Sequence, residues 1–192
     1  LKRNDFGEGP LSLSAHYPAT GEQQNPETYQ LNMALDQTGD GFYNSDLLFS
    51  KTVVESGVYK ADMNFGHALH RIRIFLSGSM TSPEVKVRSL TQGYFNLLTG
   101  EAEVRGTDFR WITPSKDGEG NFAAVIIPQS AIPYKDDDGL LQIVAEGKTT
   151  YFKAPEKTEE NNDLTFFESG KQISINLTLR PGDPELAGKT LW

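Results

Sequence analysis

The sequence contains no cysteine. This absence excludes a disulfide scaffold, zinc–thiolate sites and cysteine nucleophiles, although it does not fix the compartment. No run of residues approaches the ~18 consecutive apolar positions that a membrane-spanning helix needs. Positive charge is also scarce, with 18 Lys and Arg against 26 Asp and Glu and a formal net charge of −8. Nucleic acid and anionic membrane surfaces are therefore poor candidate partners.

The first residues lack the features of a secretory leader. The chain opens on Leu1-Lys-Arg-Asn-Asp-Phe6, without an initiator Met and without a basic segment followed by an apolar one. We therefore expect a processed or recombinant piece, with any secretion signal or lipid anchor upstream of Leu1.

The sequence is rich in period-two alternation of apolar and polar residues, which is the mark of a strand with one buried face. Residues 11–17 and 173–179 alternate most cleanly, and residues 140–145 and 149–154 flank Glu146-Gly147, a short-turn hairpin signal. No ten-residue window has a 3.6-residue period with helix caps. The pattern predicts an all-β sandwich or barrel, and 192 residues suit one large β domain or one domain plus part of a second.

The central stretch changes phase. Apolar residues fall on odd positions from Tyr59 to Phe65 and on even positions from Ile72 to Leu76. A bulge or bend across residues 66–70 must absorb this change, so we predict one long, bent core strand or two strands in succession. Residues 121–127 are almost continuously apolar, which predicts a strand buried on both sides or at the centre of a sandwich.

The histidines are the first candidates for a metal site. His67 and His70 are three residues apart, which places them on opposite faces of a strand unless a bulge intervenes. The spacing favours one histidine beside the core and the other at solvent over a ligand pair. His16 alternates to the polar face of another strand, so a metal-dependent hydrolase would require three separate imidazoles to converge.

Residues 36–46 resemble a calcium loop of the kind found in dockerins and EF-hands. The oxygens of Asp36, Asp40, Asn44 and Asp46 suit a hard cation, but Leu47 stands at the twelfth position, and neither flanking helices nor a second copy is evident. The sequence favours a solvated turn in which Asp and Asn side chains bond to nearby backbone. We therefore predict no metal and no cofactor, and keep these four residues as the calcium alternative.

Motifs for covalent catalysis are absent from the sequence. It contains no Gly-x-Ser-x-Gly elbow, no Ser-x-x-Lys and no phosphate-cradling glycine pattern. Four aromatic residues could form a sugar-stacking platform, although aromatic residues in β proteins mostly fill cores: Tyr94, Trp111, Tyr134 and Trp192. We predict no catalytic residue and a protein that is not an enzyme.

Six short segments follow one another along residues 11–179. They are Ala15-His-Tyr-Pro18; Asp36-Gln37 followed by Ser45-Asp-Leu-Leu-Phe-Ser50; Phe65-Gly-His-Ala-Leu-His-Arg71; Phe95-Asn-Leu-Leu-Thr-Gly100; Ile126-Ile-Pro-Gln129; and Phe167-Glu-Ser-Gly-Lys-Gln-Ile173. In this order they resemble the fimbrillin-like pilin family of anaerobic gut and oral bacteria. Two positions depart from the family's pattern, because Ile173 replaces an aromatic residue and His70 replaces a small one.

The resemblance implies a transthyretin-like, Greek-key β-sandwich fold in two tandem domains, with residues 1–57 ending the first domain and residues 58–192 forming the second. It implies a non-enzymatic structural or adhesive subunit of a fimbria attached to the outer membrane, which assembles with other fimbrial subunits by strand addition. The tail after Leu179 holds two prolines and two glycines, so few of its residues can pair as a donor strand. A tip or accessory subunit is therefore expected ahead of a stalk subunit.

One alternative function stays open at this point. A secreted glycan-binding module, calcium-assisted through Asp36, Asp40, Asn44 and Asp46, would place coplanar exposed aromatic residues beside that loop. Its partner would be a host or bacterial surface receptor or glycan.

Overall fold

The computed structural model describes residues 9–19, 25–78 and 82–179. These residues form a short helix, α1 (Asp40–Ser45), a 3₁₀ turn (Ile132–Lys135) and the following strands: β1 (Leu11–Tyr17), β2 (Tyr29–Asn32), β3 (Leu48–Val54), β4 (Gly66–His67), β5 (His70–Gly78), β6 (Glu84–Leu90), β7 (Gln92–Asn96), β8 (Glu101–Val104), β9 (Phe109–Ile112), β10 (Ser115–Lys116), β11 (Phe122–Ile126), β12 (Gln129–Ser130), β13 (Leu141–Ala145), β14 (Lys148–Phe152), β15 (Phe166–Phe167) and β16 (Gln172–Leu179). Within these ranges, no helix has the length and apolar character needed to cross a membrane.

Two four-stranded sheets enclose the larger core. Their strand orders are β10-β11-β5-β16 and β14-β13-β6-β9, and the pairing of β16 with β5 is parallel whereas the other pairings are antiparallel. Alternate side chains of each strand point inward, so Ile72 and Ile74 of β5 meet Val85 and Val87 of β6 in one buried cluster. The predicted all-β sandwich is confirmed.

Two three-stranded sheets, β1-β3-β4 and β2-β7-β8, surround a smaller core. Phe49 of β3 lies edge-on to Phe95 of β7, with ring centroids 5.1 Å apart. In the second sheet, Leu31 of β2 pairs with Gly93 of β7, so this sheet joins strands from both sides of position 57. The division into residues 1–57 and 58–192 stays a prediction.

Strand β11 belongs to both cores. Phe122, Ala124 and Ile126 point into the larger core, whereas Val125 and the following Ile127 point into the smaller one. The prediction of a strand buried on both sides is therefore confirmed.

The prediction for the central stretch is wrong in its first half. Residues 58–65 form no strand, while β4 and β5 follow in succession with the buried Ala68 and Leu69 between them. The change of phase arises because β4 pairs with β3 in one sheet and β5 pairs with β11 and β16 in another. The passage of the chain from one sheet to another therefore accounts for the change of phase that we expected a bulge or bend to absorb.

Candidate functional site at the edge of strand β3

Strand β3 has a complete partner on one side and a partial partner on the other. On the first side, β1 pairs with it from Leu48 to Val54. On the second side, β4 pairs only with Leu48 and Phe49. Among the described residues, no strand pairs with the second side of Ser50–Val54. We call this stretch of backbone the β3 edge.

Residues 58–65, the last part of the chain between β3 and β4, are the connecting segment. The Val58 N–H donates to the Glu55 carbonyl at 3.1 Å, and no backbone group of residues 59–65 bonds to another described residue. Its apolar side chains are poorly covered: Tyr59 is 90% exposed and Phe65 is 49% exposed. The sequence therefore has a strand pattern here, but the structure gives it neither a ladder partner nor a buried face.

The edge of β11 is closed in a different way. Strand β10 pairs with β11 over two residues only. Further along, Gln37 donates from Nε2 to the Val125 carbonyl and accepts at Oε1 from the Val125 N–H, both at 2.8 Å. Gln37 is fully buried, and its own N–H donates to the Thr113 carbonyl at 2.9 Å. A side-chain amide thus replaces a missing strand, because it offers one donor and one acceptor like a backbone unit.

Sequence reasoning did not assign this role to Gln37, although Asp36-Gln37 is one of the segments that carry the family resemblance. The only signal available was an uncharged amide next to an Asp-rich loop. An amide that pairs with a strand 88 residues away makes a tertiary contact, and no local period marks such a contact.

The two histidines of the crossing have different surroundings. His67 is exposed, and its Nδ1 lies 2.9 Å from an Asp46 carboxylate oxygen. His70 is 2% exposed, its Nδ1 lies 2.9 Å from the Glu168 carbonyl, and Nε2 has no hydrogen-bond partner among the described residues. Burial lowers the pKa of His70 to about 4, although the Glu168 hydrogen bond opposes the shift. His70 is thus a neutral residue beside the core and His67 meets solvent, as the spacing predicts.

His16 lies apart from this crossing. The alternation predicts it on the polar face of β1, but it is half-buried, and its ring centroid lies 4.7 Å from that of Tyr29. The side chain is covered because the end of β1 packs against the smaller core. Within the described ranges, no three His, Asp or Glu side chains form a group able to hold a metal ion.

The four calcium candidates are engaged separately. Asp36 accepts hydrogen bonds from the Thr38 N–H at 2.9 Å and hydroxyl at 2.7 Å, and these bonds lower the pKa of Asp36. Asp40 begins α1, Asn44 lies exposed on that helix, and Asp46 contacts His67. The calcium site stays the alternative to the predicted solvated turn, and this geometry does not support it.

The three described aromatic residues of the possible sugar platform lie on separate elements. Tyr134 is fully buried between Phe109 and Phe167. Tyr94 on β7 accepts a hydrogen bond from Arg105, and Trp111 on β9 lies 6.0 Å from Tyr151 with the rings tilted by 43°. Trp192 and the proline-containing tail lie outside the described residues.

Comparisons with known proteins agree with this fold. The model of the fimbrillin-like family matches residues 6–190. A solved structure of a proposed cell adhesion protein from Bacteroides uniformis matches with a TM-score of 0.70 at 18% identity, over 91% of this chain and 69% of that one. Proposed cell adhesion proteins from Bacteroides ovatus (TM-score 0.66, 21% identity, 92% of this chain and 65% of that one) and Bacteroides thetaiotaomicron (0.64, 18%, 90% and 67%) are similar too. No curated protein matches the chain.

Proposed function

The chain belongs to the fimbrillin-like family, and from this premise we propose that it is a structural or adhesive subunit of a cell-surface fimbria without enzymatic activity. We propose further that it joins other subunits by β-strand addition, in which a strand of one subunit pairs with an open sheet of its neighbour.

The observation that carries strand addition is the β3 edge. Backbone N–H and C=O groups along an unpaired strand form a template for another chain. In such a complex the backbone ladder supplies affinity, while alternate side chains set the register. An assembly of this kind needs an accessible edge and no constellation of reactive side chains.

The finer points of the proposal concern position. We propose attachment to the outer membrane and a tip or accessory position ahead of a stalk position. The support for the tip or accessory position is compositional. The tail beyond Leu179 has two prolines, which lack the N–H that a full donor strand needs.

Immunogold electron microscopy on cells that produce the chain tests the proposal. We expect label on surface filaments, concentrated at their ends, and no label on cells from which the gene has been deleted. Label along the whole filament would keep the fimbrial function and overturn the tip position. Filaments without any label, or label confined to the cell interior, would overturn the fimbrial function.

A binding measurement addresses the competing glycan module. Calorimetry of the purified chain with calcium chloride and a glycan panel should show no saturable heat. Saturable calcium-dependent glycan binding that disappears in Asp36→Asn would favour the glycan-binding module over a purely structural subunit.

A further inference from the structure

The connecting segment is complementary to the β3 edge, and the existing pairing of β4 with β3 shows how. That pairing is antiparallel, with Leu48 opposite His67 and Phe49 opposite Gly66. If the same register continued along the edge, Thr52 would lie opposite Met63, and every other residue from Ser50 to Val54 would also lie opposite one residue of the connecting segment. The remaining pairs would be Ser50 with Phe65, Lys51 with Asn64, Val53 with Asp62 and Val54 with Ala61.

This register matches the two faces of the sheet. Ser50 and Val54 are buried, and on that face they would meet Phe65 and Ala61. Directly opposite residues of an antiparallel pair share a face, and a slip of one residue would reverse every side chain. The continued register therefore places the apolar set of the connecting segment beside the covered side of β3, which a slip of one residue would not do.

The other face of the same register brings polar residues of the connecting segment beside Lys51 and Val53, and it contains one opposite-charge pair. Lys51 and Val53 are exposed on β3, and they would stand beside Asn64 and Asp62. One step further, Glu55 would face Lys60, and opposite charges directly across a strand pair are favourable. In the single chain, Lys60 instead pairs with Asp62 at 3.2 Å, with both side chains highly exposed.

In the single chain, neither the β3 edge nor the connecting segment is paired with the other. The β3 edge has no second partner among the described residues, and the connecting segment leaves Tyr59 and Phe65 exposed. Building on the proposed strand addition, we propose that residues 61–65 of a second copy pair with the β3 edge in the register set by β4. Exchange of an identical element between copies creates the same contacts that one chain could make with itself, so it is a low-cost route to association.

Two assemblies follow from this exchange. If two copies exchange segments reciprocally, the pair is closed. If each copy gives its segment to the next and receives one from the previous copy, the contacts are head-to-tail and the assembly grows as a chain. The closed pair agrees with the proposed tip or accessory position, whereas the growing chain would make the protein a stalk subunit. Both use the same residue pairs, so one set of variants tests them together.

The absence of native cysteine makes disulfide trapping direct. We expect that Thr52→Cys and Met63→Cys chains, mixed and oxidised, form a covalent dimer on a non-reducing gel, with the peptide link identified by mass spectrometry. Residues opposite each other in a ladder have the Cα separation that a disulfide requires. A mixture of Thr52→Cys with Tyr59→Cys is the matched control, since Tyr59 is four positions out of register, and it should link at least about tenfold more slowly.

The double variant T52C/M63C separates the outcomes. A covalent dimer or a ladder of oligomers supports the exchange, and the difference between them tells the closed pair from the growing chain. A link formed only within one chain would overturn the proposal, because the connecting segment would then close its own β3 edge.

Asn64→Pro in the doubly substituted chain is the second test. Proline removes a ladder donor, so we expect intermolecular linking to fall by about tenfold while the monomer remains folded by circular dichroism. Cells that produce the Asn64→Pro chain without the cysteine substitutions distinguish the segment exchange from the fimbrial function. Normal filaments that still contain the variant chain would overturn the exchange and leave the fimbrial function standing, whereas the failure of unmodified chain to reach any filament would overturn the function itself.

Discussion

Strands β11 and β3 are both paired over their full length on one side and by a two-residue strand on the other, yet their remaining edges differ. The Gln37 amide closes the edge of β11 with two 2.8 Å hydrogen bonds to Val125. Nothing among the described residues closes the edge of β3 beyond Phe49.

The difference follows from where each strand lies. β11 lies between two cores, so an unpaired N–H or C=O there would be cut off from water at a substantial cost. The β3 edge borders the exposed connecting segment, where water can satisfy the backbone and a partner can replace the water. A protein can therefore leave an edge available only where leaving it unpaired costs little, and the buried glutamine marks an edge that must stay closed.

The largest effect is expected from Gln37→Leu. This change leaves the buried N–H and C=O of Val125 without partners, and each unsatisfied group costs about 1–3 kcal/mol, so the free energy of unfolding should fall by about 2–6 kcal/mol. Urea denaturation measures the loss. Gln142→Leu is the matched control, because among the described residues its amide bonds only to the exposed Tyr151 hydroxyl, and it should lower the free energy of unfolding by less than about 1 kcal/mol. Equal losses in the two variants would remove the contrast between a closed edge and a surface amide.

The second prediction concerns the dependence of stability on pH. It compares His70, at the buried start of β5, with His67 on the exposed β4. His70 pairs opposite Ile126 of β11, and its folded pKa of about 4 lies below the ordinary value of 6.5. The unfolded chain therefore binds the proton more readily, so stability is fully present above pH 6.5 and is lost as pH falls towards 4, by an amount on the order of 2–3 kcal/mol.

Urea unfolding at several pH values between 7 and 4 measures this slope. His70→Gln, which keeps an N–H for the Glu168 carbonyl, should flatten it, whereas the exposed His67→Gln should retain it. If His67→Gln flattened the slope instead, the pH dependence would belong to the exposed side of the crossing.

A smaller effect is expected from Tyr134→Phe, which tests a second buried glutamine just after β11. The Tyr134 hydroxyl donates to Gln129 Oε1 and accepts from the Leu90 N–H at 3.3 Å, while Gln129 Nε2 donates to the Ile127 carbonyl at 2.7 Å. Burial raises the pKa of Tyr134 to about 12, so the hydroxyl stays protonated as a donor.

Removing this hydroxyl should lower the free energy of unfolding by about 1–2 kcal/mol. The loss is limited because Gln129 Oε1 still accepts from the Leu90 N–H at 3.2 Å. Thermal unfolding followed by circular dichroism measures the change. Tyr151→Phe, at a side chain that is 48% exposed, should change stability by less than about 0.5 kcal/mol. A larger cost for Tyr151→Phe would show that the exposed sheet face contributes more than the buried glutamine.

The smallest effect is expected from Asn64→Pro in the monomer. Its backbone bonds to no other described residue, so the loss of an N–H there should change the free energy of unfolding by less than about 0.5 kcal/mol. Arg71→Pro is the contrasting control, because the Arg71 N–H donates to the Lys171 carbonyl at 3.0 Å, and it should cost about 3 kcal/mol or more. A costly Asn64→Pro would mean that the connecting segment is already paired.

Much of the fold could be read from local alternation. Strands β1 and β16 occur where residues 11–17 and 173–179 alternate, and the hairpin of β13 and β14 turns at Glu146-Gly147. Several short strands carry too little pattern to be recognised: β9, β10, β12 and β15. The sequence does not predict the six-residue helix α1, because this helix lies inside an Asp- and Gly-rich loop.

The candidate site was harder to predict. The alternation from Tyr59 to Phe65 is as regular as that of β1, yet only β1 has a partner strand in the structure. An alternating segment forms a strand when another part of the chain covers one of its faces. That covering segment lies elsewhere in the sequence, so a local window of residues does not reveal it.

The sequence by itself determined which residues alternate, that β11 is apolar on both faces, and that no cysteine chemistry is available. The tertiary structure decided which strands meet, that Gln37 closes one edge, and that the β3 edge and the connecting segment remain apart. The reason is that side-chain direction along a strand is a local property of the backbone, whereas a hydrogen-bonded ladder exists only between segments that the whole fold brings together.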